Sequence, residues 1–190
     1  DVVGAYAGLR PLVAPPPTED ETPSETSREE EIFESPSGLL SLGGGKLTTY
    51  RRVAEKVVDR VVERLEKLEP GRRVAPCRTG EIPLPGARVD DPDRGGFGGF
   101  AKRVRASAPA SIDEGLVRHL LYRYGTVAME IVARFATAPD AARRLVEGLP
   151  YRRVEVTRAA ESEMAATLDD VLRRRVPISF RSSDGGAEAA

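Results

Sequence analysis

Gly43, Gly44, Gly45, Lys46, Leu47, Thr48 and Thr49 follow one another without interruption. Consecutive glycines let a backbone pass close to a ligand, and a lysine at the same place adds a mobile positive charge. Thr48 and Thr49 are able to cap a helix or to donate to a ligand. An apolar run, Leu39, Leu40 and Leu42, precedes the glycines, and a long amphipathic pattern follows them. A strand, a glycine turn and a helix opening at hydroxyl residues together aim backbone N–H groups at an anion. The same residues also suit a plain strand-to-helix turn with a solvated lysine. The run is not a Walker A loop, because the second glycine and its four-residue spacer are missing.

Arg10 is the second candidate. It stands at the end of an expected strand beside Pro11, where a guanidinium is placed to clamp a phosphate or a carboxylate, or else to lie in solvent. Arg28 reads as a surface residue, and Arg51 as the continuation of a polar helix face. His119 sits among Arg118, Leu120 and Leu121 with no carboxylate suggested nearby, which favours a structural role. Cys77 reads as a packed, inert thiol. The carboxylates of residues 19–34 show no calcium-loop spacing and are expected to be hydrated.

Composition limits what these groups serve. The 190 residues carry 29 basic and 30 acidic side chains, a balance that removes the electrostatic case for non-specific nucleic-acid binding. No run reaches the roughly 18 apolar residues of a membrane-spanning helix. A single cysteine and a single histidine exclude an internal disulfide and a cysteine-based zinc site. With 40% hydrophobic residues the chain has the material for a real core. Residues 1–8 open in mid-pattern without a methionine or a signal sequence, so a fragment is expected.

These candidates need elements to position them. Residues 2–13 read as a short strand running into Pro15, Pro16 and Pro17, and residues 18–31 as an acidic loop. Glu31, Ile32, Phe33 and Glu34, a turn at Ser35, Pro36, Ser37 and Gly38, and the leucines after it predict a hairpin. Val53, Ala54, Val57, Val58, Val61, Leu65 and Leu68 recur at three and four, predicting a helix that Pro70 and Gly71 stop. Residues 76–104 are turn-rich and read as a connector. Ser111 with Glu114 predicts a capping box before a helix that closes at Gly125. A second helix is expected through Val127 and Phe135, and a third, short one from Pro139 to Gly148. A fourth is expected over residues 154–166 and a fifth from Thr167 to Pro177. Arg173, Arg174 and Arg175 suit a solvated helix end.

Four groups of residues, taken in order, closely resemble the FAD-dependent glycerol-3-phosphate dehydrogenases of the aerobic type. They are Ala7-Gly8-Leu9-Arg10-Pro11-Leu12, Ser27-Arg28-Glu29, Ser35-Pro36-Ser37-Gly38-Leu39 and Gly44-Gly45-Lys46-Leu47-Thr48-Thr49-Tyr50-Arg51. The distal half agrees through Leu120-Leu121-Tyr122-Arg123-Tyr124-Gly125, Leu149-Pro150-Tyr151, Glu161-Ser162-Glu163-Met164-Ala165 and Asp170-Val171-Leu172-Arg173-Arg174-Arg175. Residues 27–31 depart from the family's more apolar strand, and no G-x-G-x-x-G dinucleotide motif occurs in residues 1–190.

The resemblance implies an α+β chain: a partial strand-helix segment of an amino-acid-oxidase-like FAD domain, then an all-α C-terminal bundle. The boundaries expected are residues 1–75 for the FAD and substrate segment, 76–104 for the connector, 105–181 for the helical domain and 182–190 for a disordered tail. It implies oxidation of sn-glycerol 3-phosphate to dihydroxyacetone phosphate by hydride transfer to FAD, with electrons passed to a quinone. In the oxidase branch they pass to oxygen. Arg10 and Lys46 fall in the substrate pocket by this resemblance, and Gly44, Gly45, Lys46, Leu47, Thr48 and Thr49 approach the isoalloxazine. Its expected partners are glycerol 3-phosphate, the quinone, the N-terminal half of the same enzyme and a second copy in a homo-oligomer, with no nucleic acid. The expected location is cytoplasmic, with peripheral contact to the inner face of the cell membrane left open. The chain alone is expected to be inactive. A non-catalytic helical interaction module is the alternative from a different class.

Overall fold

A computed structural model describes residues 2, 5–9, 13, 29–89 and 95–189. The chain divides into two compact units, one of Gly8–Pro83 and one of Asp1–Ala7 with Leu84–Ala190.

In the first unit, strands β1 (Glu31–Glu34) and β2 (Leu40–Gly43) pair antiparallel, with Glu31 opposite Gly43 and Glu34 opposite Leu40. The predicted hairpin turn closes on Ser35. Its carbonyl accepts the Gly38 N–H at 2.9 Å and its hydroxyl accepts the Leu39 N–H at 3.1 Å. A short 3-10 turn, Leu47–Thr49, then leads into α1 (Tyr50–Leu68). The last turn of α1 ends where the Glu69 N–H reaches the Leu65 carbonyl, and Gly71 takes a positive φ of 99° directly after Pro70. Proline cannot continue the ladder, and glycine alone reverses the chain there without strain.

Among its described residues the second unit carries four α-helices: α2 (Gly96–Ser107), α3 (Glu114–Tyr124), α4 (Ala128–Thr137) and α5 (Arg153–Ser162). Val104, Leu116, Val117, Leu120, Ile131, Val132, Phe135 and Val154 form its larger core. A smaller core gathers Val146, Tyr151, Ala159, Val171, Leu172, Val176 and Ile178. Arg144 and Arg152 form an antiparallel bridge that brings the chain back to the start of α5.

Several elements differ from the sequence reading. Among the described residues of 2–13 none is in a strand; the rest of that stretch, with Arg10, lies outside the described residues. Helix α2 forms inside the span read as a connector, despite three glycines in its own sequence. Phe97, Phe100, Ala101 and Val104 recur at helical spacing. Val104 is fully buried and Phe100 and Ala101 pack on the larger core, which outweighs the roughly 1 kcal/mol that each interior glycine costs. The cap of α3 is Asp113, whose Oδ1 accepts the Leu116 N–H at 2.8 Å, and not Ser111. Asp113 stands immediately before the first helical residue, where its carboxylate meets the free N–H groups at the positive end of the helix. The third short helix is a 3-10 turn, Pro139–Ala142. Helix α5 stops at Ser162, short of the expected residue 166, because Met164 takes a φ of 59°. The fifth helix is one π-helical segment, Asp170–Arg175. Beyond these elements, the Asp184 carboxylate accepts the N–H groups of Gly186 and Glu188 at 2.9 and 2.8 Å.

Candidate functional site

The glycine turn joins β2 to α1. Gly44 and Gly45 both have positive φ, 74° and 93°. A Cβ on Gly44 would stand 2.3 Å from the Glu29 carbonyl oxygen, so that position admits glycine alone. At Gly45 an added Cβ would make ordinary contacts, 3.7 Å to Glu30 and 4.0 Å to Val53, and only its φ demands glycine. The two glycines swing the chain off the sheet edge into the helix. Lys46, Leu47, Thr48 and Thr49 are all exposed. The Lys46 carbonyl accepts the Thr49 N–H at 3.1 Å and the Thr49 hydroxyl at 3.2 Å, which fixes the turn from within. No side chain caps the N-terminus of α1. The turn therefore offers an exposed glycine-rich backbone, a helix start and a cation, features that favour an anion.

Neighbouring charges hold this turn in register with α1. Glu30 pairs with Lys56, and that hydrogen bond is the largest of the influences keeping the Glu30 carboxyl below its usual range; Lys46 contributes least. Arg64 binds Glu34 at 3.1 Å and also the Gly38 carbonyl. Arg51, expected to extend a polar face, instead donates to the Thr79 hydroxyl at 2.9 Å and to the Ile82 carbonyl at 2.7 Å. It ties the chain beyond α1 to the N-terminal end of that helix.

The second unit holds a different polar centre. Glu155 has no exposed surface, yet four groups converge on it. The Arg152 N–H donates to Oε2 at 2.7 Å. Around Oε1 lie the Tyr124 hydroxyl at 3.1 Å, His119 Nε2 at 3.0 Å and Arg123 Nε at 3.3 Å. Burial is the main cause that pushes the Tyr124 phenol well above its usual range, with the Glu155 charge next. The Arg152 guanidinium is pulled down, first by burial and then by Arg144; its Nη1 is buried with no hydrogen-bond partner among the described residues. Sealed from solvent, Glu155 ties α3 to α5 and offers nothing to a substrate.

Comparison with known proteins bears on both units. Residues 77–190 match the family model described as the C-terminal domain of alpha-glycerophosphate oxidase. The chain belongs to that family. Over its whole length the chain is 35% identical to glycerol-3-phosphate dehydrogenase 2 of Mycobacterium tuberculosis, covering 30% of that protein. It is 37% identical over 97% of its length to glycerol-3-phosphate dehydrogenase 1 of Mycobacterium bovis, covering 32% of it. It is 33% identical over its whole length to the glycerol-3-phosphate dehydrogenase of Synechocystis sp., covering 32%. The chain thus spans about a third of the length of these curated relatives.

In the first unit, Gly44, Gly45, Lys46, Leu47, Thr48 and Thr49 come together in one turn because they are consecutive. Arg10 and Arg28 lie outside the described residues. Cys77 is exposed, not packed: it follows α1 in a stretch with no core beneath it, and its sulfur accepts the Thr79 N–H at 3.4 Å. His119 does have a carboxylate partner. Glu155 lies 36 positions away in sequence, and only the packing of α5 on α3 brings it within reach. Glu155, three residues after Arg152, was the local signal available, since Glu at that position reaches back to the helix start. Among the described residues no group of three His, Cys, Asp or Glu could hold a metal ion, and no helix is long and apolar enough to cross a membrane.

Proposed function

We propose that residues 1–190 form part of a flavin-dependent enzyme that oxidises sn-glycerol 3-phosphate to dihydroxyacetone phosphate. The observation that carries this reading is end-to-end similarity to proteins named glycerol-3-phosphate dehydrogenase, combined with an open glycine-lysine turn at the head of a 19-residue helix. When bound, FAD supplies the two-electron acceptor for the hydrogen on the C2 carbon of the substrate. Gly44, Gly45, Leu47, Thr48 and Thr49 hold it through close backbone approach. Their N–H groups and the start of α1 favour negative charge at that edge. Lys46 adds its ammonium at the border between cofactor and substrate. Arg10 grips the dianionic phosphate bidentately, which orients C2 toward the acceptor.

The electrons then pass to a quinone, from an enzyme of the cytoplasm. The family description, which names an oxidase, favours a second reading of this last step with oxygen as acceptor. The test uses the polypeptide encoded by the whole reading frame that contains residues 1–190. It should purify with about one flavin per chain, and anaerobic glycerol 3-phosphate should bleach the flavin absorbance. Arg10→Ala should raise KM by at least tenfold. Residues 1–190 alone should purify colourless. A long polypeptide without flavin, or a flavin indifferent to glycerol 3-phosphate, would defeat the reading.

A further inference from the structure

The chain reverses between Arg144 and Arg152, and the return sets two cations face to face. The two residues stand directly opposite each other in an antiparallel bridge. On either side of them the Arg153 N–H donates to the Arg143 carbonyl at 3.0 Å and the Leu145 N–H to the Tyr151 carbonyl at 3.2 Å. When the backbone hydrogen bonds flank an opposed pair in this way, its two side chains share one face and stand at their closest. Like charges in that position repel. Arg144 is exposed, and its Nη1 donates to the Leu149 carbonyl at 2.7 Å. Arg152 is only 4% exposed, and its Nη1 has no hydrogen-bond partner among the described residues.

The carboxylates near this pair are engaged elsewhere. Glu155 receives the Arg152 backbone N–H, the Tyr124 hydroxyl, His119 and Arg123. The Oδ1 of Asp113 receives the Leu116 N–H at 2.8 Å. Repulsion by Arg144 acts on the Arg152 guanidinium more strongly than the pull of either carboxylate. Glu147, in the loop between the two arginines, is exposed. A buried cation that faces a second cation with no counter-charge is costly, so the place calls for an anion. Water would satisfy the orphaned N–H but leave the repulsion in place. A phosphate dianion would bring charge, yet its oxygens need more donors than two guanidinium groups supply once it leaves water. A spherical, monovalent halide needs only a few N–H groups around it.

We propose that Arg144 and Arg152 bind a chloride ion between their guanidinium groups, and that the ion clasps the chain reversal that leads into α5. Arg152 supplies the buried Nη1. Arg144 forms the outer wall, and its exposed side chain swings to admit the ion. The site lies wholly within the helical unit and does not depend on the flavoenzyme reading above.

The test uses the polypeptide encoded by the whole reading frame. Crystals grown with sodium bromide in place of chloride should show an anomalous peak within about 3.5 Å of Arg152 Nη1. Amide hydrogen exchange at Leu145 and Arg153, whose N–H groups flank the bridge, gives the second readout. An ion released on opening raises protection by one plus its concentration over its Kd, so a Kd of about 0.02 M predicts a gain of about sixfold in about 0.1 M chloride. The reference is gluconate at equal ionic strength, which screens charge to the same extent. Arg144→Ala should abolish both the peak and the gain. That variant also removes the bond to the Leu149 carbonyl, so the reading is the chloride gain and not the basal protection. Arg143→Ala, at an exposed neighbouring position, should keep both. A water, or a carboxylate of the polypeptide itself, at that place in the bromide crystal overturns the proposal. So does a bromide peak without a chloride gain, which is an adventitious ion only, or a gain that survives Arg144→Ala. Phosphate that protects these amides more than chloride does overturns it as well.

Discussion

His119 Nε2 lies 3.0 Å from Oε1 of Glu155, a carboxylate with no exposed surface. The pair joins α3 to α5, and the His119 and Tyr151 rings meet nearly at right angles at a centroid distance of 5.6 Å. Replacing Glu155 with alanine would leave the Arg152 N–H without its acceptor and Arg123 without its anion. Breaking a buried pair from one side costs about 3 kcal/mol. Urea denaturation of Glu155→Ala should show a loss of that order. Glu155→Gln, which keeps an acceptor for the Arg152 N–H, should lose less. A loss under about 1 kcal/mol for alanine would contradict the role assigned to this centre.

The Tyr124 phenol gives that centre a pH dependence. Burial and then the Glu155 charge raise its pKa, against the pull of Arg123. A raised folded-state value means that folding favours the neutral phenol. Its stabilisation is complete below the ordinary phenol value of about 10 and is lost as pH rises beyond it. Ultraviolet titration should therefore show one of the five tyrosines ionising last, together with loss of helix. Tyr124→Phe should remove that late step; a phenol that titrates freely near 10 in the folded chain would count against it.

The sequence disclosed the parts whose signals are local. The valines of α1 at three and four, and the turn at Ser35 and Gly38 between two short apolar runs, predicted elements that the structure contains. The glycine-lysine run was visible as a turn because its residues are consecutive. Longer-range features were not. His119 and Glu155 are joined only by packing, and no spacing rule links positions 36 apart. Helix α2 was hidden because its glycines punctuate a pattern that the core nevertheless buries. Cys77 was misjudged because its neighbours carry no sign of whether a core lies beneath them.

Met164 is a place where composition and backbone disagree. It takes a φ of 59° just after α5, where the N–H of Ala165 returns to the Ala159 carbonyl at 3.0 Å. Its side chain is 90% exposed. Glycine is the usual residue at this helix-ending position, since a Cβ there costs about 1–2 kcal/mol. The greater freedom of glycine in the unfolded chain offsets part of that. Met164→Gly should raise stability by about 0.5–1 kcal/mol, read as a melting point higher by roughly 1–4 °C. A lower melting point would show that the methionine side chain makes a stabilising contact.

Lys46 carries the central claim, that the glycine turn borders the flavin and the substrate. Its ammonium is exposed and the fold does not depend on it, so Lys46→Ala should leave the melting point unchanged. The decisive measurement is the anaerobic rate of flavin reduction by glycerol 3-phosphate in the long polypeptide, wild type against Lys46→Ala, followed by stopped-flow absorbance. Loss of a positioned charge at the reacting centre predicts a rate lower by about 100-fold, with flavin still bound. A variant that reduces its flavin at the wild-type rate would contradict the account.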